Sequence, residues 1–529
     1  MEEKGYLLLV LNSHLPFIRH PEIEYPFEEN WLFEAIVESY LPLIDNCERL
    51  IHEGYDFKIT FSLSPPLIEM LADDLLRLRF IRYLDDRIAL SKEEMKRLGH
   101  EPRLFELARS YYQRFVTARK LFEERWKCDL LSAFRYLLDS GKVEIITSCA
   151  THAYLPLWEL FPKIIRLQIQ LGIQQFRNVF GREPQGFWLP ECGFFPGLDE
   201  VLRGEGIRYF FLDAHGLLNG DPAPVFREYA PIHCPSRVAA FGRDWQSHDL
   251  VWLKDKGYPG DPFYRKFDQD IGHELDLEYL VPFTHSHHRV PTGIKYYRKG
   301  TDGVRDVYDP TFARSRCEEQ ANHFVDTCQR QGEQLQFDMG KEPVIAALFD
   351  TEHFGHWWHE GVAWLDLVLR KLSVEHNTIK LVTALDYLKT HETNQVVTPS
   401  TSSWGYQGYS ETWLMGRNHW IYPLLYEKIE IIDRLVQSHP ISQGLQRDAV
   451  NQYFRELLLA QSSDWAFMMH AGSNQLYAEK RVLGHIENLT NLYHQIIQNA
   501  VDSEWLDGIK NKNNIFMSVD ILELYSKMS

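Results

Sequence analysis

The chain has 529 residues, of which 44% are hydrophobic, and this length is too great for one simple core. Its 74 acidic residues outnumber 56 Lys and Arg, and the net charge of −18 disfavours nucleic acid and anionic membranes as partners. Seven scattered cysteines without a Cys-x-x-Cys pair predict free thiols and a cytoplasmic protein.

Seven short apolar runs predict strands that are buried on both faces of a sheet. The first run follows residues 1–6, is too short for a membrane span and lacks a small-residue cleavage site, so we expect a first buried strand and not a signal peptide. Helical patterns at 30–52, 160–180 and 310–332 alternate with the runs, which favours βα units around a parallel sheet that closes as a barrel. The predicted strands are 7–11, 58–63, 143–147, 186–189, 208–212, 344–349 and 379–382.

Two insertions and a helical region complete the predicted organisation. Residues from about 70 to about 140 are charged and helical in pattern, and they are too long for an ordinary connection. Residues from about 215 to about 305 are rich in Gly, Pro, Tyr and His, and we expect a loop-rich, non-helical lid or substrate clamp there. Amphipathic helices are predicted over 418–505. We therefore predict a catalytic domain at 1–400 and a helical C-terminal domain at 401–529.

Two carboxylates lie among aromatic residues, each at the end of a predicted strand. Glu191 lies in GFWLPECGFF, residues 186–195, and Asp350 in ALFDTEHFGHWW, residues 347–358. Capping of a turn or of a helix is the structural alternative for either carboxylate. A retaining glycosidase needs one carboxylate as nucleophile and another as acid and then base, beside rings that stack on sugars. Glu191 and Asp350 fit that pair, and Glu352 competes for the acid role.

Histidines in the second motif favour a different class of enzyme. His353, His356 and His359 are spaced three apart beside Glu352 and Glu360, and such side chains are Zn²⁺ and Mn²⁺ ligands in metal-dependent hydrolases. The spacing is not that of His-Glu-x-x-His, and no cysteine pair accompanies it. We therefore predict sugar hydrogen bonds or loop packing for these histidines, and neither a metal nor another cofactor.

Further polar and aromatic residues follow the predicted strands. His14 and His152 each lie at a strand end, where two histidines on one catalytic face outweigh the structural role that is usual for a single one. The segment 404–413 carries four aromatic rings beside glycines, at spacings that fit neither a helical stripe nor strand alternation. Stacking on glucose explains these rings better than core packing does.

Five ordered blocks resemble glycoside hydrolase family 57, and within it the 1,4-α-glucan branching enzymes. The blocks are HLPFIRHP at 14–21, GKVEII at 141–146, WLPECG at 188–193, FDTEHFGHWW at 349–358 and a segment from SWG to WL at 403–414. The resemblance implies an α/β fold, an incomplete (β/α)7 barrel with a helical insertion, and a helical C-terminal domain that contributes to the active-site cleft. It also implies a retaining mechanism without a metal.

The resemblance assigns the nucleophile to Glu191 and the acid and base to Asp350. It adds Arg265, Gly293 and Trp404 as glucan contacts, with Asp464 supplied by the helical domain. Together with the histidines and rings above, the expected substrate-binding residues are His14, His152, Trp188, Arg265, Gly293, Trp357, Trp404, Trp413 and Asp464.

The implied activity is branching of α-glucans such as amylose and glycogen, with no nucleic acid or membrane partner and no predicted oligomeric state. In the family, a loop carrying a tyrosine is associated with capture by a sugar 6-hydroxyl before water. The candidate loop at 230–238 has His233 at that place, and Ala153 and Arg237 stand where glycine is expected. An α-amylase or 4-α-glucanotransferase of the same family, or a glucan-binding protein with little catalysis, therefore remain alternatives.

Overall fold

A computed structural model describes residues 3–300, 305–374, 377–391, 395–438 and 443–528. Nine strands form one sheet in the order β6-β7-β5-β4-β3-β2-β1-β8, and β9 pairs with the start of β1. The strands are β1 (Gly5–Ser13), β2 (Ile59–Leu63), β3 (Val143–Ser148), β4 (Gly186–Trp188), β5 (Tyr209–Leu212), β6 (Ile232–His233), β7 (Ala239–Gly242), β8 (Val344–Asp350) and β9 (Ile379–Leu381).

Seven of these strands, β1 to β5 with β7 and β8, run parallel around a barrel. The two ends of the row meet at a single bridge between Arg243, just after β7, and Ala346 in β8. The Asp244 amide donates to the Ala346 carbonyl at 2.8 Å across this seam. The predicted incomplete (β/α)7 barrel is confirmed.

Alternation along β1 divides the barrel interior from the helical layer. Leu8 and Val10 face an inner cluster with Trp188 and Leu348, whereas Leu9 and its odd-numbered neighbours pack against the surrounding helices. Successive side chains of a strand point to opposite faces, so one apolar run supplies both layers.

All seven predicted strand runs are strands, but the insertion predicted at 215–305 is wrong in character. It contains the barrel strand β7, the strand β6, three complete helices and most of a fourth. Strand β7 has the sequence Ala-Ala-Phe-Gly without a β-branched residue, and it forms because burial and pairing with β5 override its weak propensity. Residues 301–304 of the predicted insertion lie outside the described residues.

The helices surround the barrel and form the C-terminal region. Their bounds are α1 (Asn30–Ala35), α2 (Leu41–His52), α3 (Pro65–Ala72), α4 (Asp74–Arg97), α5 (Pro102–Lys120), α6 (Leu130–Asp139), α7 (Pro162–Phe180), α8 (Leu198–Gly204), α9 (Ala214–Leu218), α10 (Trp245–Trp252), α11 (Ile271–Glu274), α12 (Leu277–Thr284), α13 (Pro310–Met339), α14 (Gly361–Leu372), α15 (Ala384–Thr390), α16 (Ile421–Ser438), α17 (Leu445–Ala460), α18 (Ser463–Ala471), α19 (Gln475–Ile497), α20 (Ser503–Lys512) and α21 (Ile521–Ser526).

Helices α3 to α6 lie between β2 and β3, which confirms the predicted helical insertion, and α16 to α21 confirm the helical C-terminal region. The boundary at residue 400 stays a prediction. A turn of π-helix at Ile36–Tyr40 joins α1 to α2. Within the described ranges, no helix combines the length and hydropathy that a membrane crossing requires.

Candidate active site

A cavity of about 520 Å³ opens at the carboxyl ends of the barrel strands. In parallel barrels these ends carry the catalytic groups, because loops from several strands converge there. Asn12 comes from the end of β1, Glu191 follows β4, and Asp350 is the last residue of β8. Of the expected site residues, the cavity is lined by His14, His152, Glu191, Asp350, Trp357, Trp404, Trp413 and Asp464.

Glu191 is held by two segments that are remote from it in sequence. Its carboxylate accepts hydrogen bonds from Trp404 Nε1 at 2.8 Å and from Ser463 Oγ at 2.9 Å. Its backbone φ is +61°, a left-handed conformation that a non-glycine residue rarely adopts. Strain of this kind persists only where surrounding contacts impose it, and it is common at active sites. The turn after β4 thus presents the carboxylate to the cavity.

Among the described residues, Asp350 accepts hydrogen bonds from fewer side-chain donors than Glu191 does. Its Oδ1 accepts one hydrogen bond, from Asn12 Nδ2 at 3.2 Å. Burial raises the pKa of Asp350 to about 6, although the Asn12 hydrogen bond opposes the shift. Burial likewise raises the pKa of Glu191 to about 7, against the Trp404 hydrogen bond, and the charges of Asp464 and Asp350 add to the rise.

Both carboxyl groups therefore titrate near neutral pH, where the pair can hold one proton between them. A hydrogen bond to an ionised group is stronger than one to a neutral group. Glu191 receives two donors and Asp350 one, yet the pKa of Glu191 stays above that of Asp350, so the shared proton favours Glu191 in the free site. A nucleophile and a general acid need the opposite arrangement, an ionised Glu191 beside a protonated Asp350, so the two roles are assigned from the family resemblance and not from these pKa values.

Glu352 also lines the cavity, but its environment keeps it neutral. Burial and the charge of Asp350 raise the pKa of Glu352 to about 8. Its Oε1 accepts from the Tyr40 hydroxyl and from the His14 amide at 3.2 Å. Tyr40 belongs to the π-helical turn, and π-helical turns often occur at functional sites.

His14 and His152 form a stacked pair with Asp464. Their rings lie 3.6 Å apart at an interplanar angle of 11°. His14 Nε2 lies 2.9 Å from Asp464 Oδ2, and Nδ1 lies 2.9 Å from Ser64 Oγ. Although burial opposes the shift, Asp464 raises the pKa of His14, whereas burial and His14 lower the pKa of His152 well below its usual value. The pKa values of the two stacked rings are thus shifted in opposite directions.

Among the described residues, these three side chains are also the group whose ligand atoms lie close enough together to hold a metal ion. A ring nitrogen donates its lone pair in the plane of the ring. Because the two rings are nearly parallel, their lone pairs run side by side instead of converging, which suits a metal poorly. Protein groups already contact Asp464 and a ring nitrogen of each histidine, and sugar contact by these three residues stays a prediction.

The histidines of the metal-hydrolase alternative do not gather at one point. His353 Nε2 lies 2.8 Å from the Val251 carbonyl. His356 Nδ1 lies 2.6 Å from Glu38 Oε2, and His359 contacts Arg114 at 3.3 Å. The three side chains stabilise the loop after β8, and the described residues show no metal cluster that includes them.

Aromatic side chains form an exposed rim around the cavity. Trp357 is 57% exposed, Tyr406 61% and Phe467 49%, and all three line the cavity. Exposed rings of this size are costly in water, and flat rings are suited to stacking on the apolar faces of sugars. Trp413 is buried and stacks on Tyr154 at 4.3 Å, so it supports the rim instead of forming it.

Three expected glucan contacts do not line the cavity. Trp188 is fully buried in the barrel interior, where its ring lies 5.2 Å from that of Trp404. Arg265 is 3% exposed, and its Nη1 donates to the Tyr111 hydroxyl at 3.0 Å. Gly293 has φ +80° and donates its amide to Asp270 at 2.8 Å. In this structure their contacts are with protein, and sugar contact by any of them stays a prediction.

Sequence reasoning missed several residues of the site. Arg243 follows the unpredicted strand β7, forms an ion pair with Asp213 and lies 5.6 Å from the ring of Trp404. Trp252 and His248 from α10 also line the cavity. The one available signal was the aromatic sequence of α10, Trp-Gln-Ser-His-Asp-Leu-Val-Trp, inside a segment that was predicted to be non-helical.

The candidate transfer loop at 230–238 includes the two-residue strand β6 and does not line the cavity. His233 belongs to β6, which pairs antiparallel with β7. Its amide donates to Gln395, and its carbonyl accepts from Val397, each at 2.9 Å. Arg237 has φ +74°, a value that favours glycine. None of the residues 230–238 lines the cavity, and a role of this loop in selecting the acceptor stays a prediction.

Comparison with known proteins gives consistent matches over the chain. A family model described as glycosyl hydrolase family 57 matches residues 8–270, and one described as the C-terminal region of 1,4-alpha-glucan branching enzyme matches residues 425–523. A 1,4-alpha-glucan branching enzyme of Thermococcus kodakarensis is 31% identical over 556 aligned residues, which cover 98% of this chain and 78% of that protein.

Two crystal structures share the whole fold. The alpha-amylase AmyC from Thermotoga maritima has a TM-score of 0.90 and 37% identity, with 98% of this chain and 99% of that chain covered. The branching enzyme from Pyrococcus horikoshii has a TM-score of 0.89 and 31% identity, with 99% and 97% covered.

Proposed function

The chain belongs to glycosyl hydrolase family 57, and from this premise we propose that it is a retaining 1,4-α-glucan branching enzyme. The observation that carries the proposal is the placement of Glu191 and Asp350 at strand ends of one cavity with an exposed aromatic rim. We assign Glu191 as the nucleophile and Asp350 as the acid and base. The expected separation of their carboxyl groups is about 5 to 5.5 Å, as in other retaining enzymes.

In the first step, Glu191 attacks the anomeric carbon of the donor glucan. The bond between this carbon and the glycosidic oxygen breaks, and Asp350 gives its proton to that departing oxygen. The Glu191 carboxylate loses its negative charge when the ester bond forms. The hydrogen bonds from Trp404 and Ser463 therefore stabilise that charge mainly before the attack and when the ester bond breaks.

In the second step, Asp350 is ionised and takes the proton of a 6-hydroxyl on an acceptor chain. The acceptor oxygen attacks the anomeric carbon, and the ester bond to Glu191 breaks. Two inversions leave the anomeric configuration as it was and create an α-1,6 linkage. Amylose and glycogen are the proposed polysaccharide partners. We propose a cytoplasmic location, in keeping with the seven free cysteines.

Hydrolysis is the second candidate function, and the similarity to the Thermotoga maritima alpha-amylase favours it. Branching and hydrolysis differ only in whether a sugar hydroxyl or water attacks the glucosyl ester. Incubation with amylose separates them: a branching enzyme forms α-1,6 linkages with few new reducing ends, whereas a hydrolase forms reducing ends alone. Polysaccharide retention without any change in the chains would indicate a binding protein.

Three substitutions test the assignment of the carboxylates. Glu191→Gln and Asp350→Asn should each lower the rate on amylose by at least about a thousand-fold, because each removes a group that forms or breaks bonds. Glu352→Gln should retain measurable turnover, because Glu352 is already neutral at neutral pH. A nearly wild-type rate for Asp350→Asn together with loss of activity in Glu352→Gln would transfer the acid role to Glu352.

A further inference from the structure

A second cavity of about 260 Å³ lies apart from the active site, and none of its lining residues is shared with it. Its walls come from residues 25–27, helices α1 and α4, and the end of α12 with the loop that follows. His285, His287 and His288 of that loop are exposed at its rim.

The inner wall of this cavity holds Arg87 without a counterion. Arg87 is 2% exposed, and among the described residues it forms no ion pair with a carboxylate. Its Nη1 donates to the Phe283 carbonyl at 3.1 Å, and its guanidinium lies 4.6 Å from the centre of the Tyr83 ring. Its Nε is buried without a hydrogen-bond partner in the described part of the chain. Burial of an unpaired charge is costly.

Contacts within the fold offset only part of this charge. The Phe283 carbonyl lies at the end of α12, and a helix C-terminus carries about half a negative charge at most. The neighbouring Arg79 needs no further partner, because its Nη1 lies 2.7 and 2.8 Å from the two carboxylate oxygens of Glu29. The remaining positive charge of the inner wall therefore belongs to Arg87.

The rim supplies a second cation that is weakly paired. The Arg82 guanidinium lies 4.1 Å from the centre of the Tyr25 ring, and its carboxylate contact, with Glu24, is at 4.0 Å. Asp86 is occupied by His285 Nε2 at 3.1 Å. Three arginines thus face two paired acidic residues, in a chain whose net charge is −18. A locally positive cavity in so acidic a protein attracts anions.

We propose that this cavity binds a phosphate group, either as the free anion or as the monoester of a molecule the size of a sugar. A guanidinium presents paired N–H donors that match two phosphate oxygens, and the Arg87 side chain lines this cavity without a carboxylate partner among the described residues. The cavity volume exceeds that of phosphate alone, and the rings of Phe27 and Phe33 line the remainder. This leaves room for the carbon skeleton of an ester.

Calorimetric titration of the full chain tests the proposal, with inorganic phosphate, glucose 1-phosphate and neutral glucose as probes at constant ionic strength. We expect saturable binding of at least one phosphate probe, and the stronger of the two identifies the free anion or the ester as the ligand. Arg87→Met should weaken that binding at least ten-fold. The matched control is Arg109→Met on α5. The Arg109 side chain is 51% exposed and pairs with Glu106, so this variant should bind the phosphate probe with wild-type affinity.

Arg82→Met provides a second test that does not depend on folding of the Arg87 variant, and we expect about a three-fold to ten-fold loss of affinity. Saturable binding of neither phosphate probe would overturn the proposal. Binding that is unchanged in both Arg87→Met and Arg82→Met would also overturn it, because the anion would then lie elsewhere. Equal binding of glucose and glucose 1-phosphate in the wild-type chain would have the same consequence.

Discussion

The hydrogen bond from Trp404 to Glu191 gives a quantitative prediction for the variant Trp404→Phe. Phenylalanine keeps an aromatic ring but lacks the N–H that donates to Glu191 Oε2 at 2.8 Å. A hydrogen bond to a charged group contributes about 1.5 to 3 kcal/mol, and about 1.4 kcal/mol corresponds to one pKa unit. Ser463 still donates to Oε1, so we take the lower limit, a rise of about one unit.

The sign of the effect follows from the role of the indole. The Trp404 hydrogen bond lowers the pKa of Glu191, which burial has raised to about 7. Its removal raises that pKa further, so the ionised fraction at pH 7 falls from about half to about a tenth. We expect a roughly five-fold lower rate at pH 7, and the limb of the pH profile that Glu191 sets should move upward by about one pH unit.

The assay is the initial rate of amylose turnover between about pH 5 and pH 9, at substrate concentrations well below saturation. These rates report the ionisation of the free enzyme. Trp413→Phe is the matched control from the same segment, because among the described residues its indole Nε1 has no hydrogen-bond partner. Both limbs of its pH profile should stay at the wild-type positions, whatever happens to the rate. A pH profile in Trp404→Phe with neither limb moved would refute the reasoning.

Two further predictions concern stability. Gly355→Ala should lower the melting temperature and abolish turnover, because a Cβ there would lie 1.8 Å from the Glu38 carbonyl and φ is +102°. Gly484→Ala in α19 is its control, since nothing lies within 4 Å and the unfolding free energy should rise by about 0.5 to 1 kcal/mol. Glu456→Ala should cost roughly 3 to 5 kcal/mol by urea denaturation, because it removes the acceptor 2.6 Å from buried His485. Glu456→Gln keeps an acceptor oxygen, and an equal loss in both variants would contradict this explanation.

The strands of the barrel could be predicted because their runs are apolar on both faces. Residues 344–349 illustrate this, since each residue of β8 before Asp350 is buried. Strand β7 could not be predicted in this way, because its small residues show no hydrophobic pattern. It forms through pairing with β5, which precedes it by a long segment of the chain. Because β7 was not predicted, Arg243, the residue immediately after it, was not identified as a site residue.

The site shows the same division between local and long-range information. The aromatic neighbours of Glu191 and Asp350 are adjacent in sequence, so their burial could be anticipated. The donors to Glu191 come from positions 213 and 272 residues away, and no local pattern indicates them. The contact of Tyr40 with Glu352 depends on a π-helical turn, which hydrophobic periodicity does not reveal.

The wide separation in sequence between α18 and β1 has a consequence for biosynthesis. Ser463 contacts the proposed nucleophile and Asp464 contacts His14, which comes from the first strand end of the barrel. A polypeptide that is still growing on the ribosome lacks both groups until some 460 residues have been joined. Translation must therefore pass residue 464 before the cleft can hold its full set of polar partners, so shorter nascent chains have no complete catalytic apparatus.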